Sequence, residues 1–206
     1  MFGADTMGLI IEKKDISEYL QSSAVIDFEN EAIIKRAQSL VRGIDDEVIK
    51  VKTVFEFVRD KIPHTFDMKG NIITCKASDV LKYGQGICYA KSHLLAALLR
   101  SLGIPAGFCY QKLVFSDEMP KIILHGLNAV YIQSLNKWIR LDARGNKADV
   151  NAQFSIKEEM LAFPVRRELG EVDGAIIYAK PSANVVTALE KSSTAEELEN
   201  NLPAEV

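Results

Sequence analysis

The chain of 206 residues has only three cysteines, three histidines and one tryptophan. An odd number of cysteines cannot all pair within one chain, so no disulfide framework is implied. The stretch from Met1 to Glu12 lacks a charged segment followed by a long apolar one, and no secretory leader is expected. Both absences point to a reducing compartment, with the cytoplasm as the expected location. No apolar run is long enough to span a membrane; the best, around Leu94 to Leu102, is interrupted by Arg100 and Ser101. No basic block and no interleaving of aromatic with basic residues is present, and the net charge is -3, so neither nucleic acid nor membrane is an expected partner. Cys75, Cys88 and Cys109 with His64, His93 and His125 form no C-x-x-C or H-x-x-x-H pair. Their spacings match no common zinc pattern, and no metal site is expected.

What is present is an ordinary globular composition, 48% hydrophobic and 26% charged. The length suits one domain with its own core. We expect that domain over residues 1–181, followed by a helical or partly disordered acidic tail over 182–206. Residues 1–29 suggest a short strand and turns. Ile33, Ala37, Leu40, Val41 and Ile44 share one helical face, and Asp45 is placed to cap a second helix carrying Val48, Val51, Phe55, Val58 and Ile62. Pro63 ends that helix. A short helix covers Ala77 to Lys82. A third long helix starts near Cys88 and ends at Gly103, with Pro105 beyond. Its apolar residues cover more than one face, which predicts a buried central helix. The period then changes to two. Strands are predicted from Ala106 to Phe115, Leu124 to Ile132 and Lys137 to Leu141, with a turn over residues 117–120 and a loop at Gln133–Asn136. Another strand is predicted at Ala175–Tyr178. Helices followed by an antiparallel sheet predict an α+β fold.

Cys88 is the residue that carries chemistry. Gly84-Gln85-Gly86-Ile87-Cys88 reads as a turn opening the central helix, where free N–H groups and the positive end of the helix dipole favour a thiolate. A buried structural cysteine is the alternative. His125 opens one predicted strand and Asp142 closes the next. With an even-length loop the two share a face. A loop at 132–135 puts them directly opposite, and one at 133–136 makes them diagonal neighbours. An imidazole beside a thiol takes its proton, and a carboxylate on the other ring nitrogen fixes the tautomer and supports the charge. After attack on an amide, His125 can return the proton to the leaving amine. Taken singly, His125 could be a satisfied core residue and Asp142 a turn aspartate. For the oxyanion, the backbone N–H of Cys88 is a candidate donor. Gln85 is a second one, with a plain turn role as its alternative. Trp138 either packs under the hairpin or walls the substrate site. His93, five positions past Cys88, lies well round the helix from it.

The segment from Gly84 to Ala106, with glycine before cysteine, an apolar helix and the exit Gly103-Ile104-Pro105, resembles the nucleophile motif of the transglutaminase-like superfamily. His125-Gly126-Leu127-Asn128-Ala129-Val130 and Trp138-Ile139-Arg140-Leu141-Asp142 resemble the family's histidine strand and its Trp-x-x-x-Asp strand. The match covers roughly residues 45–145, and Ala77 to Leu81 fits the short helix often found before the motif. The resemblance implies a papain-like core: a central buried helix that presents Cys88 and packs on an antiparallel sheet carrying His125 and Asp142. It implies a Cys-His-Asp triad acting on peptide or protein amides through a thioester acyl-enzyme, without a cofactor. Hydrolysis of peptidase or amidase type is the expected reaction. Transfer from glutamine to an amine, and a non-catalytic interaction module on the same fold, are the alternatives. Leu127 stands where many members have an aromatic, Ala143 where many have proline, and Gly107 where arginine is usual; these departures bear on specificity. The chain has no room for the flanking β domains of the large animal transglutaminases. It also shows no calcium-loop pattern, so calcium activation is not expected.

Overall fold

The computed structural model describes residues 8–116, 118 and 120–206. Helix α1 spans Glu31–Leu40, starts where the Asn30 side chain accepts the Ala32 N–H at 2.9 Å, and buries Ile33 and Ala37. Helix α2 spans Glu47–Lys61 and buries Val51, Val54, Phe55 and Val58. Its cap is Asp46 rather than Asp45, because the Asp46 carboxylate sits three residues before the Ile49 N–H that it accepts at 2.9 Å. Arg59 and Lys61 lie in its last turn, where cations complement the helix dipole, and Pro63 follows. Helix α3, Ala77–Tyr83, stops at Gly84, whose φ of +66° is a left-handed conformation that glycine adopts freely. Helix α4 then runs Cys88–Ser101 and is buried at every position from Cys88 to Arg100. It is the central helix of the molecule.

Strands β2 (Ala106–Val114), β3 (Ile122–Ile132), β4 (Lys137–Leu141) and β5 (Val172–Asp173) form an antiparallel sheet in the order β4-β3-β2-β5. Asp117 and Met119, part of the turn expected at 117–120, lie outside the described residues, as does the stretch 1–7. Side chains alternate across the sheet as period two requires. Phe108, Leu124, Val130, Ile132, Ile139 and Leu141 join the main core with α4, whereas Cys109, Leu127, Ala129 and Trp138 join a second cluster around Tyr19 on the other face. Each fully buried leucine of α4 contributes roughly 1.5–3 kcal/mol to holding helix on sheet. Gly126 lets the two layers approach, since a Cβ there would stand 2.7 Å from Cδ1 of Tyr89. Asn128 ties the same contact, its Nδ2 donating to Ser92 O and Gly107 O at 3.1 Å each.

The strand expected at Ala175–Tyr178 is a two-residue one, β6 (Ile176–Ile177). It pairs in parallel with β1 (Ile10–Ile11), a partner too short to show a period in sequence. Beyond it, α5 (Ala183–Lys191) and α6 (Ala195–Asn200) place Val185, Leu189 and Leu198 in the main core. Pro203 O then accepts the N–H of Leu124 at 2.7 Å, so this segment docks beside the residue that precedes His125. Among the described residues no helix is long and apolar enough to cross a membrane.

Candidate active site

The hairpin register decides how His125 and Asp142 meet. Tyr131 pairs with Trp138 and Asn128 with Leu141, so the connecting loop is 133–136. One step beyond the last pair, Asp142 falls beside Leu127, and His125 is its diagonal neighbour on the same face. The contact is direct: His125 Nε2 donates to Asp142 Oδ2 at 2.7 Å, and both side chains are buried. Asp142 is further fixed by two backbone donors, Arg144 N–H on Oδ1 at 3.1 Å and Ala162 N–H on Oδ2 at 3.0 Å. Burial works against both charges, and their mutual attraction overcomes it. His125 is raised to about 10 despite desolvation, through the charge and hydrogen bond of Asp142 and then those of Cys88. Asp142 is held below its usual value by His125 and by its two amide donors, again against desolvation.

With Nε2 committed to Asp142, the His125 nitrogen left for a further partner is Nδ1. Cys88 lies near enough to this ring to help hold it protonated. Cys88 is 9% exposed, between the fully buried Cys109 and the more open Cys75. Cys88 and His125 line one cavity of about 540 Å³, whose wall is largely apolar through Phe66, Leu113, Phe115, Ile123 and Phe163. Phe163 stands edge-on to the His125 ring at 5.0 Å and 85°, and the Arg144 guanidinium lies 5.7 Å from the centre of the Phe163 ring. Arg144 itself makes a two-pronged pair with Asp67.

The other residues singled out in sequence are placed less directly. Gln85 is buried but absent from the cavity wall: its Oε1 lies against Gly70, and its backbone carbonyl accepts from Thr74 Oγ1. The Cys88 backbone N–H is already engaged, donating to Nε2 of His64 at 3.2 Å. Trp138 packs against Tyr19 at 4.9 Å and Tyr131 at 5.6 Å in the second cluster, away from the cavity. His93 is a satisfied core residue whose Nδ1 meets Cys75 O at 2.8 Å; burial lowers it to about 4. Burial raises the thiols of Cys75 and Cys109 to about 12 each. Among the described residues no group of three histidine, cysteine or acidic side chains is arranged to hold a metal ion.

Three neighbours of the site had no signal in the sequence. His64 follows the helix-ending Pro63 and belongs to no spacing pattern. Phe163 lies in the irregular stretch after β4. Lys91, one turn after Cys88, is fully buried with its ammonium donating to the carbonyls of Arg59 and Ile62 at the end of α2. Burial first, then the charge of Arg144, brings Lys91 down to about 7 against the pull of Asp142 and two further aspartates. An i, i+3 lysine beside a nucleophile would be the only sequence hint of it.

A family model for the transglutaminase-like superfamily matches residues 34–143, just over half of the chain, and includes Cys88, His125 and Asp142. Among solved structures, a candidate cysteine protease from Cytophaga hutchinsonii is similar at 24% identity and a TM-score of 0.53, over 64% of this chain and 43% of that one. A candidate protease from Parabacteroides distasonis aligns at 15% identity and a TM-score of 0.42, over 73% and 30% of the two chains. Red sea bream transglutaminase aligns at 12% identity and a TM-score of 0.40, over 61% and 27%. The chain thus spans less than half the length of each of these structures. No curated protein matches it.

Proposed function

The chain belongs to the transglutaminase-like superfamily, and from that premise we propose that it is a cysteine-nucleophile enzyme that hydrolyses amide bonds in peptides or proteins through a thioester on Cys88. The observation that carries this reading is the buried His125–Asp142 pair at 2.7 Å, with His125 and the Cys88 thiol lining one cavity. In this scheme Nδ1 of His125 takes the Cys88 proton and Sγ attacks the amide carbon. The carbonyl π electrons move to oxygen. Collapse of that intermediate breaks the C–N bond while imidazolium Nδ1–H protonates the leaving amine. Water, deprotonated by the neutral imidazole, then opens the thioester and restores the thiol. Asp142 stabilises the imidazolium without taking its proton.

Water rather than an amine is the proposed acceptor because the cavity offers no free carboxylate among the described residues to hold an ammonium group. Asp149 faces Lys147 at 3.6 Å, and Glu171 accepts from Arg166 and from the Val114 N–H. The aromatic and aliphatic wall suits an apolar side chain on the substrate. We place the protein in a reducing compartment such as the cytoplasm, where its three unpaired thiols stay free.

The test is a product assay with glutamine-containing peptides, run with and without a large excess of a primary amine, with Cys88→Ala as the control. The proposal predicts cleaved or deamidated peptide in both conditions and none with the variant. Amine-linked peptide as the dominant product would move the assignment to acyl transfer. Turnover that survives Cys88→Ala would remove the nucleophile from the scheme.

A further inference from the structure

On β4 and the residue after it, Trp138, Arg140 and Asp142 alternate onto one face of the sheet, the face of the second cluster. Residues 159–163, which belong to no helix or strand, lie against this face. They are attached along their length. The Glu159 carboxylate takes two donors of the Arg140 guanidinium, Nε on Oε1 at 2.7 Å and Nη2 on Oε2 at 2.5 Å. Leu161 packs on the second cluster. Ala162 N–H donates to Asp142 Oδ2 at 3.0 Å, the same oxygen that accepts from His125. The Phe163 ring stands edge-on to the His125 ring. Upstream, Gln153 N–H donates to Met160 O at 2.9 Å and closes the loop that leads into this segment.

Arg140 is buried, and its grip is double. Nη1 and Nη2 also donate to the Asp173 carboxylate of β5 at 2.7 Å each, and Nη1 donates to Gly174 O at 3.4 Å. Paired forks of this kind fix geometry as well as charge. What lies under the segment is sensitive to water. The attraction between an imidazolium and a carboxylate falls as the effective dielectric rises, so a buried pair is strong only while it stays dry. Against the cost of burial, His125 and then the amides of Ala162 and Arg144 hold Asp142 below its usual range. Residues 159–163 thus supply both a cover and an amide donor, yet no helix or strand ladder holds them there.

We propose that Arg140 is a positioning residue for the reaction: by gripping Glu159 it straps residues 159–163 over His125 and Asp142, seats the Ala162 amide on the carboxylate and keeps water from the bond between the pair. Arg140 touches no reacting atom and acts through Glu159, Ala162 and Asp142. With the strap in place, the imidazolium that forms when His125 takes the Cys88 proton faces an ionised, unhydrated carboxylate. With the strap lifted, water reaches Oδ2 and the pair loses strength. Asp173 serves a different end of the same guanidinium, the tie between β4 and β5. The role in catalysis rests on the proposed service of His125 to Cys88; the seal over the pair does not.

Two variants divide the grip of Arg140. Glu159→Ala frees the strap and leaves Arg140 paired with Asp173, so no buried charge is orphaned. Asp173→Ala does the reverse. The readout is the far-downfield proton NMR signal of the His125–Asp142 hydrogen bond, identified by its loss in His125→Ala and visible only while exchange with water is slow. At neutral pH the wild type and Asp173→Ala are expected to show it. Glu159→Ala is expected to lose it to exchange, and Arg140→Met, which cuts both ties, to do the same. Acylation of Cys88 by p-nitrophenyl acetate is expected to fall about tenfold in Glu159→Ala and to stay near the wild-type rate in Asp173→Ala. A signal that persists unchanged in Glu159→Ala or Arg140→Met would overturn the proposal. So would its absence from the wild type, or an equal loss in Asp173→Ala, since Arg140 would then only join strands. Failure of the underlying reading looks different: Glu159→Ala would lose the signal while no protein, wild type included, acylates Cys88.

Discussion

At the scale of single residues, Asp142 and His125 owe their protonation states to each other. Neither charge is stable alone in that burial, so removing one partner leaves the other as a costly isolated charge or forces it neutral. Asp142→Asn keeps the shape but loses the charge and offers its oxygen or its amide to Nε2, with the second choice imposing the wrong tautomer. Its acylation rate with p-nitrophenyl acetate at neutral pH is expected to drop by at least about 10²-fold, with a fold intact by circular dichroism. A drop no larger than a few-fold would detach the carboxylate from the chemistry. The three cysteines should also separate sharply. Cys75 and Cys109 are raised to about 12 by burial, so peptide mapping after brief iodoacetamide treatment at neutral pH should find label on Cys88 alone. Label shared evenly among the three would mean that Cys88 has no special environment.

At the scale of elements, the fit between α4 and β3 is what brings sulfur to imidazole. Gly126 and Tyr89 mark it: a methyl group on Gly126 would stand 2.7 Å from the Tyr89 ring, next to Cys88 in the chain. Gly126→Ala is expected to cost about 1–3 kcal/mol in urea unfolding and to slow alkylation of Cys88 as the start of α4 is pushed away. Unchanged stability would show that the layers have slack there. This arrangement was legible in the sequence because each part obeys a local rule. The all-apolar run Leu94–Leu99 can only be buried, the strands alternate, and an even loop at 133–136 fixes which residues share a face. The diagonal contact of His125 with Asp142 follows from that loop alone. His64, Phe163 and the Ala162 amide were not legible, because they reach the site from irregular segments whose course is set by tertiary contacts and carries no period. The cap of α2 was missed by one position, since two adjacent aspartates look alike until the geometry selects Asp46.

At the scale of the whole molecule, two buried bases near the site pull stability in opposite directions with pH. His125 binds its proton more tightly folded than unfolded, about 10 against 6.5, so its contribution is complete below 6.5 and is lost as pH rises toward 10. Lys91 does the reverse, about 7 against 10.5, and the folded state gains as pH rises through that interval. Between about pH 7 and 8.5 these slopes oppose each other, each at most roughly 1.4 kcal/mol per pH unit. Wild-type unfolding free energy should therefore be nearly level there. Lys91→Met should show stability falling with pH over the same interval, and His125→Ala should show it rising. Parallel curves for all three proteins would contradict the assigned charges.

Whether His125 activates the sulfur is read most directly from the rate of Cys88 alkylation by iodoacetamide as a function of pH, followed by intact mass in the wild type and in His125→Ala. At about pH 6 the wild-type thiol should react at least roughly tenfold faster than a simple thiol, and the variant should lose this advantage. A wild-type rate that tracks an ordinary thiol across the range, unaltered by the loss of His125, would contradict that activation.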